Sequence, residues 1–523
     1  MVRRIVLLFS LITALLGISS VPACAQSGRT FFIDYNSGSN SNNGTSKNTS
    51  WKTHPYMQTS GPCTGTGSAA YSHQAGDKFI FKGGVTWPSA CFPLNITSGG
   101  SGASTPDLYT VDQTWFNGGS FTRPIFAGQN ATMPFNAAVA GQAMVAITAS
   151  NVTMGTSTIT GNGFDIGGQN LGTYGAGHCG SYVVAVAAGL SNVIVTQSIL
   201  HDWIVTSSSQ NVNYNHSAGG MCYGTDGNVA AGKNIVLDHS EVRDDGNIIS
   251  GTSTPWGVCG HDIVIQYSTC HYLFEGIVGF ISVHDSEFAN LNYPHSADSL
   301  NSSGAHLNVI ESDGYDGDGP VYNNWIHDDK TYGEVIAVTG CNSTPVYNNV
   351  ITNQAHYAIM MQPGAGQSSC TGFVANNIID VTTTTNPGTA MNCAQYMSGA
   401  TINGGNNICI VGGPTGGTLG SLNGAYAMST SEASTYGFTA ASKYFPHSSD
   451  PNVTGKGTDL TSLLSASLTA SASMAALAYD TEGAPWFGGS PVARTSWDLG
   501  AYANAGQSSS KPNPPSGLAA IVQ

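Results

Sequence analysis

One short pattern returns seven times between residues 192 and 381, and it leaves few architectures open. Asn192-Val-Ile-Val-Thr-Gln-Ser-Ile-Leu-His-Asp is echoed by Asn234-Ile-Val-Leu-Asp-His-Ser-Glu-Val-Arg-Asp, Asp262-Ile-Val-Ile-Gln-Tyr-Ser-Thr-Cys-His and Phe280-Ile-Ser-Val-His-Asp-Ser-Glu-Phe-Ala-Asn. Val321-Tyr-Asn-Asn-Trp-Ile-His-Asp, Val346-Tyr-Asn-Asn-Val-Ile-Thr-Asn and Phe373-Val-Ala-Asn-Asn-Ile-Ile-Asp follow. The aligned Ser or Asn falls at Ser198, Ser240, Ser268, Ser286, Asn324, Asn349 and Asn377, at intervals of 42, 28, 18, 38, 25 and 28 residues. A copy without inserted loops is therefore 25 to 28 residues long. Each copy holds short β-branched runs with period-two alternation, broken by Gly, Asn, Ser and Asp, which reads as strands and turns. Such a unit cannot bury its own apolar face, but a stack of them buries a continuous one. The expected class is all-β: a parallel β-helix (solenoid) over residues 140–412. Residues 26–139 would form an N-terminal cap and first coils, 413–504 an irregular capping segment with a short helix or loop at 461–477, and 505–523 a linker-like tail. The Asn-Asn pairs at 323/324, 348/349 and 376/377 suit left-handed turns and an amide ladder.

Composition agrees. Only 9% of the 523 residues are charged and 66 are Gly, against about 25% and 7% in average chains, so exposed helix faces cannot be abundant. Residues 1–25 read as a secretory signal, with Arg3 and Arg4 before the apolar run Ile5 to Ile18 and an Ala23-Cys24-Ala25 cleavage site; a lipid anchor on Cys24 is the alternative. Losing Arg3 and Arg4 takes the formal charge from −15 to −17, which disfavours nucleic acid and anionic membrane as partners. No later apolar run is long enough to span a bilayer. Ten cysteines remain after Cys24, an even number without C-x-x-C pairs, which points to disulfides and away from structural zinc. Cys63 with Cys91 and Cys341 with Cys370 are the favoured pairs.

The chain resembles the secreted bacterial right-handed parallel β-helix proteins of the pectate-lyase-like superfamily. Phe31-Phe-Ile-Asp-Tyr, Gly44-Thr-Ser, Ser50-Trp-Lys-Thr and Gly76-Asp-Lys-Phe-Ile-Phe-Lys-Gly-Gly look like its N-terminal cap, and Ser496-Trp-Asp-Leu-Gly-Ala-Tyr like its closing segment. The resemblance implies a right-handed coil, and it implies fold more than function, since that scaffold carries lyases, hydrolases, epimerases and adhesins. Of the Asn-Thr-Asp, Asp-Asp, Gly-His-Gly and Arg-Ile-Lys segments of its pectin hydrolases only Asp-Asp occurs, at 244/245 and 328/329. Val236-Leu-Asp-His239 looks like the Ile-Asp-His of pectate lyases, but their Arg-x-Pro-x-x-Arg is absent, and an ordinary strand accounts for it.

Residues 201–334 hold 18 of the 30 acidic residues and nine of the 14 histidines, with Lys233, Arg243 and Lys330 as the only cations. Counting three and four residues past each aligned Ser or Asn gives two polar columns, among them His201, Asp202, Arg243, His271, His327 and Asp328, read first as structural turns. Aligning Ala305-His-Leu-Asn-Val with Gly333-Glu-Val-Ile-Ala and Tyr357-Ala-Ile-Met-Met points Leu307, Val335 and Ile359 inward. His306, Glu334 and Ala358 then point outward on neighbouring rungs about 4.8 Å apart. His306 and Glu334, with Asp298, Glu311 and Lys330, are the catalytic candidates; a structural hydrogen bond across rungs is the alternative. His295, Asn308, His327 and Asp328 are the substrate-binding candidates, His295 and Asp298 riding on an extra loop, since loops that interrupt a stack carry function. Glu311-Ser-Asp-Gly-Tyr-Asp-Gly-Asp-Gly offers Asp313, Asp316 and Asp318 as calcium ligands, although it lacks EF-hand spacing and a solvated acidic turn is the plainer reading.

Two functions fit. One is a carbohydrate-active protein cleaving an extracellular polysaccharide along the solenoid, by lyase chemistry with calcium and a Lys330 or His306 base, or by hydrolysis between two carboxylates. The other is a non-catalytic surface, adhesion or matrix protein.

Overall fold

The computed structural model describes residues 28–58, 63, 71–156, 162–169, 179–203, 218–224, 233–243, 257–273, 275–291, 308–312, 319–328, 334–352, 357–382, 392–412, 417–460, 486–487, 494 and 497–502. Over these residues the chain winds as a parallel β-helix with three strands per coil. Sheet 1 carries Gly141–Ile147, Ser181–Val186, Ala218–Tyr223, Ile310–Glu311, Glu334–Thr339, Tyr357–Gln362 and Asn392–Tyr396. Sheet 2 carries Val152–Met154, Val193–Thr196, Ile235–Asp238, Val321–Tyr322, Pro345–Tyr347, Cys370–Ala375 and Ala400–Gly405. The long strands Val258–Gln266 and Glu275–His284 run through both and fuse them into one 22-stranded network. Sheet 3 is a separate 12-stranded ladder from Thr86–Trp87 through Ile199–His201, Glu241–Arg243, Thr269–His271, Glu287–Ala289, Trp325–His327, Val350–Thr352 and Ile378–Asp380 to Ala425–Ser429. Among the described residues every pairing between strands is parallel except that of Phe135–Asn136 with Gly141–Ile147. The parallel β-helix expected from the repeats, right-handed as the resemblance implied, is the fold.

The repeated Ser or Asn explains how the corner between sheets 2 and 3 holds. The residue before it sits in the left-handed region at Gln197, His239, Tyr267, Asp285, Asn323, Asn348, Asn376 and Asn406, with φ between 42° and 57°. The next residue points inward and ties its coil to the next. Backbone N–H groups of Ser198, Ser240 and Ser268 donate to the hydroxyls of Ser240, Ser268 and Ser286 at 3.1–3.2 Å. From Ser286 the same bond runs to the carbonyl oxygens of Asn324, Asn349, Asn377 and Asn407 at 3.0–3.1 Å. Asparagine adds a donor, and each Asn side chain also bonds the next at 3.0–3.1 Å. Polar backbone at a buried corner is thus satisfied without water.

The interior is a continuous column of Val, Ile, Leu, Met and Phe. Five disulfides stitch it, taking up all ten cysteines after Cys24: Cys63–Cys91, Cys179–Cys222, Cys259–Cys270, Cys341–Cys370 and Cys393–Cys409. The two pairs favoured from sequence are among them. Cys259–Cys270 and Cys393–Cys409 each join sheet 1 to sheet 3 across the interior of one coil. At the far end, a helix at Thr430–Tyr436, capped by the Ser429 hydroxyl, starts a segment that packs back over sheet 3. Phe438, Tyr444, Trp486, Phe487 and Tyr502 cover the outward side chains of Val350, Ile378, Ile408 and Ile410. The 461–477 stretch and the tail after 505 lie outside the described residues. No helix among the described residues is long and apolar enough to cross a membrane.

Candidate functional site

Sheet 1 has an unusual side-chain rhythm. In each of its strands a residue points outward, two consecutive residues point inward, and the next points outward. Met144-Val145, Val183-Val184, Val309-Ile310, Val335-Ile336, Ala358-Ile359 and Cys393-Ala394 are the inward pairs, all in the interior cluster. Flanking them, Ala143 and Ala146, Tyr182 and Ala185, and Val258 belong to a separate cluster on the outer surface. The paired registers stack the outward residues into two columns. The first runs Ala143, Tyr182, Gly219, Val258, Glu275 and, after Asn308, on through Glu334, Tyr357 and Asn392. The second runs Ala146, Ala185, Cys222, His261, Val278, Glu311, Ala337, Met360 and Gln395.

Apolar in the early coils, this face turns polar from the His261 and Glu275 coils onward. Glu275 is wholly buried, the one glutamate among the described residues to be so, and Asn308 is 1% and His261 3% exposed. Continuing the register of Ile277 with Ile310 sets Glu275 beside Asn308. Asn308 is the hub: its amide donates to the Glu311 carboxylate at 3.0 Å and its carbonyl accepts the Glu334 backbone N–H at 2.8 Å. Both glutamates are half-buried, so carboxylates from three successive rungs and an imidazole converge on one strip of the solenoid. Ser312 and Thr339 extend the strip sideways, the Ser312 hydroxyl accepting the Thr339 N–H at 2.6 Å and Gln362 donating to the Thr339 hydroxyl at 2.8 Å.

This register corrects the alignment made from sequence. Ile310 pairs with Ile336, so the neighbour of Glu334 on the preceding rung is Asn308, two residues past His306. On the following rung Glu334 pairs with Tyr357, while Ala358, expected outward, is buried in the core. The cause is the double inward pair: period-two reading assumes one inward residue between outward ones, and with two it slips by one. A slip of two leaves the alternation unchanged and is invisible to the pattern. His306 itself lies outside the described residues, as do His295, Asp298, Asp313, Asp316, Asp318 and Lys330.

His327 and Asp328 are placed on a different face, the outer surface of sheet 3. There a carboxylate at the first position of one strand meets the histidine at the third position of the next: Asp165 with His201 at 2.8 Å, Glu241 with His271 at 2.9 Å, and Glu287 with His327 at 3.0 Å. The second ring nitrogens of His201 and His327 bond Asp202 at 2.8 Å and Asp328 at 2.7 Å. Burial works against the His201 charge, but Asp165 and Asp202 outweigh it and lift its pKa to about 9. The polar columns read from sequence as structural turns are these inter-coil bonds, with left-handed backbone at Asp202, Tyr272, Asn290 and Asp328. Val236-Leu-Asp-His239 is an ordinary sheet 2 strand and corner; Asp238 accepts from Thr196 and Gln266 at 2.8 and 2.9 Å.

The sequence reading thus named Asn308, Glu311 and Glu334, which the structure brings together, and missed Glu275 and His261. Their signal was present. Glu275-Gly-Ile-Val, Asn308-Val-Ile-Glu, Glu334-Val-Ile-Ala and Val258-Cys-Gly-His share two small or apolar residues between two outward positions.

No protein-family profile and no curated protein matches the sequence. Among solved structures the chain is similar to a pectate lyase, at 11% identity and a TM-score of 0.41 over 92% of this chain and 97% of the other. A rhamnogalacturonan lyase matches at 14% identity and a TM-score of 0.40, covering 77% and 88%. A lacto-N-biosidase from Eubacterium ramulus matches at 11% and 0.35, covering 72% and 68%. The fold assignment rests on the strand pairing itself.

Proposed function

We propose that this is an exported carbohydrate-active β-helix that cleaves an extracellular polysaccharide on the outer face of sheet 1. The observation that carries the reading is the polar strip of Glu275, Asn308, Glu311, Glu334 and His261, on a face that the early coils keep apolar. Carboxyl groups on successive rungs, one of them held by the amide of a buried asparagine, suit proton transfer by positioned side chains. Glu275 and Glu334 stand two rungs apart, about 9.6 Å between backbones along the axis, with Asn308 on the rung between them, a spacing nearer the roughly 6.5–9.5 Å of inverting hydrolases than the roughly 5–5.5 Å of retaining ones. We assign Glu334 and Glu275 as the acid–base pair, and Asn308 as the residue positioning Glu311.

Calcium-assisted lyase chemistry is the second reading. Asp313, Asp316 and Asp318 directly follow Glu311, and hard oxygen ligands suit calcium; Lys330 or His306 would then supply the base. Among the described residues no group of three or more ligating side chains is assembled, so this reading rests on sequence. Export is supported by the signal-like N-terminus and five disulfides. The deciding experiment incubates the purified protein with a panel of plant, algal and host polysaccharides, following reducing ends and the ultraviolet absorbance of unsaturated products. Reducing ends alone support hydrolysis; both signals, abolished by a chelator, support the lyase. Neither signal on any polymer supports the non-catalytic reading.

A further inference from the structure

Before sheet 3 reaches its histidine-rich coils, a cleft of about 280 Å³ opens on its outer surface, lined by Phe121, Thr122, Arg123, Ile125, Asn162 and Asp165. Its lining combines an aromatic ring, a guanidinium, an amide and a carboxylate. Phe121 supplies an aromatic wall, half-exposed and braced edge-on by Phe116 at 6.1 Å. Asp165 is held in place: His201 bonds it at 2.8 Å, and Asp202 fixes the far side of that imidazole.

Arg123 is the telling group. Burial destabilises its charge, which Asp165 and Glu241 favour only from a distance and Arg243 opposes. Its hydrogen bonds among the described residues are two, from Nε and one Nη to the Gln197 carbonyl, both at 3.4 Å. The nearby carboxylates are taken up elsewhere: Asp165 and Asp202 by His201, Glu241 by Arg243 at 3.1 Å and His271 at 2.9 Å. A planar five-donor fork held only by long bonds to one carbonyl is preorganised for a carboxylate, which it grips with two parallel bonds.

We propose that this cleft binds the carboxylate of a uronic acid unit, with Arg123 clamping the carboxylate, Asp165 and Asn162 taking ring hydroxyls, and Phe121 lying against the sugar's C–H face. The choice of a sugar acid, over other carboxylates, rests on the polysaccharide reading above. The site would hold an acidic polymer away from the sheet 1 strip rather than cut it.

The test is calorimetric titration of the full chain with D-galacturonate and D-glucuronate, against D-galactose and D-glucose. Saturable binding of at least one uronate and not of its neutral counterpart is expected, weakened about tenfold or more by Arg123→Gln, the loss of a charge-assisted pair. Asn162→Ala, on a half-exposed side chain, should weaken it less and guards against a folding defect in the arginine variant. Glu334→Gln should leave this binding unchanged. Equal binding of neutral sugars, wild-type binding by Arg123→Gln, loss of binding in Glu334→Gln, or no saturable uronate binding would each overturn the proposal. A protein that cleaves no polymer but passes this titration refutes the sheet 1 reading alone.

Discussion

Asn308 concentrates several roles in one buried side chain, holding the Glu311 carboxylate with its amide and the Glu334 backbone with its carbonyl. Asn308→Ala should therefore cost roughly 1–3 kcal/mol, the range for stranding a buried polar partner, and lower activity as well. Glu334→Gln is isosteric and leaves the Asn308 bond to its backbone intact. Its activity should fall by about 10² to 10⁴, the usual weight of a general acid or base, with an unchanged urea midpoint. Parallel rate and unfolding measurements separate the two; a stable Asn308→Ala of full activity would remove the hub from the site. A third residue carries a pH signature. The folded pKa of His201 is raised to about 9 from an ordinary 6.5, so its imidazolium stabilises the fold fully below pH 6.5, and that contribution disappears as pH rises toward 9. The stability gap between wild type and His201→Gln should be widest near pH 6 and close by pH 10. A gap independent of pH would mean that the ring acts by packing alone.

Among elements, the corner ladder shows how far sequence alone could see. The Asn-Asn doublets announced both the left-handed turn and the amide stack, because asparagine is the one residue type that serves both at consecutive positions. Sheet 3 was equally legible, since a single inward residue per strand fits a period of two. Sheet 1 was not: its double inward pair shifted the following rung by one, putting Ala358 for Tyr357, and a slip of two, which leaves the alternation unchanged, put His306 for Asn308 beside Glu334. Both slips are resolved only by the pairing between coils, which the pattern of a single strand does not contain. The ladder makes a graded prediction. Asn349 accepts from the Asn324 backbone and amide and donates to Asn377, Val321 and Tyr347. Asn349→Ala strands several of these and should cost roughly 2–4 kcal/mol. Asn349→Ser keeps an acceptor of the kind used from Ser198 to Ser286 and should fall between. If the two variants unfold at the same urea concentration, the acceptor carries none of the corner's stability.

At the scale of the molecule, stacked coils touch only their neighbours, so stability is passed along the axis and any weak coil is a place to open. The disulfides address this in two ways. Cys179–Cys222 and Cys341–Cys370 tie one coil to the next, closing loops of 43 and 29 residues; Cys259–Cys270 and Cys393–Cys409 brace single coils across the interior, over 11 and 16. On loop entropy alone the 43-residue bridge restrains the unfolded chain most, though the gain rises only logarithmically with length. The same bridges give a thiol count that tests export and folding together. The chain has 11 cysteines, ten of them paired, and the remaining one is Cys24 in the signal-like segment. Protein recovered from an exporting host, unfolded without reductant, should show no free thiol if cleavage follows Ala25, and one if the segment is kept with Cys24 unmodified. Two or more would mean that a bridge had not formed. An N-terminal sequence starting at Gln26 together with zero thiols would fix both points, whereas zero thiols with a lipid-modified Cys24 would move the protein from free secretion to a tethered life at the cell surface.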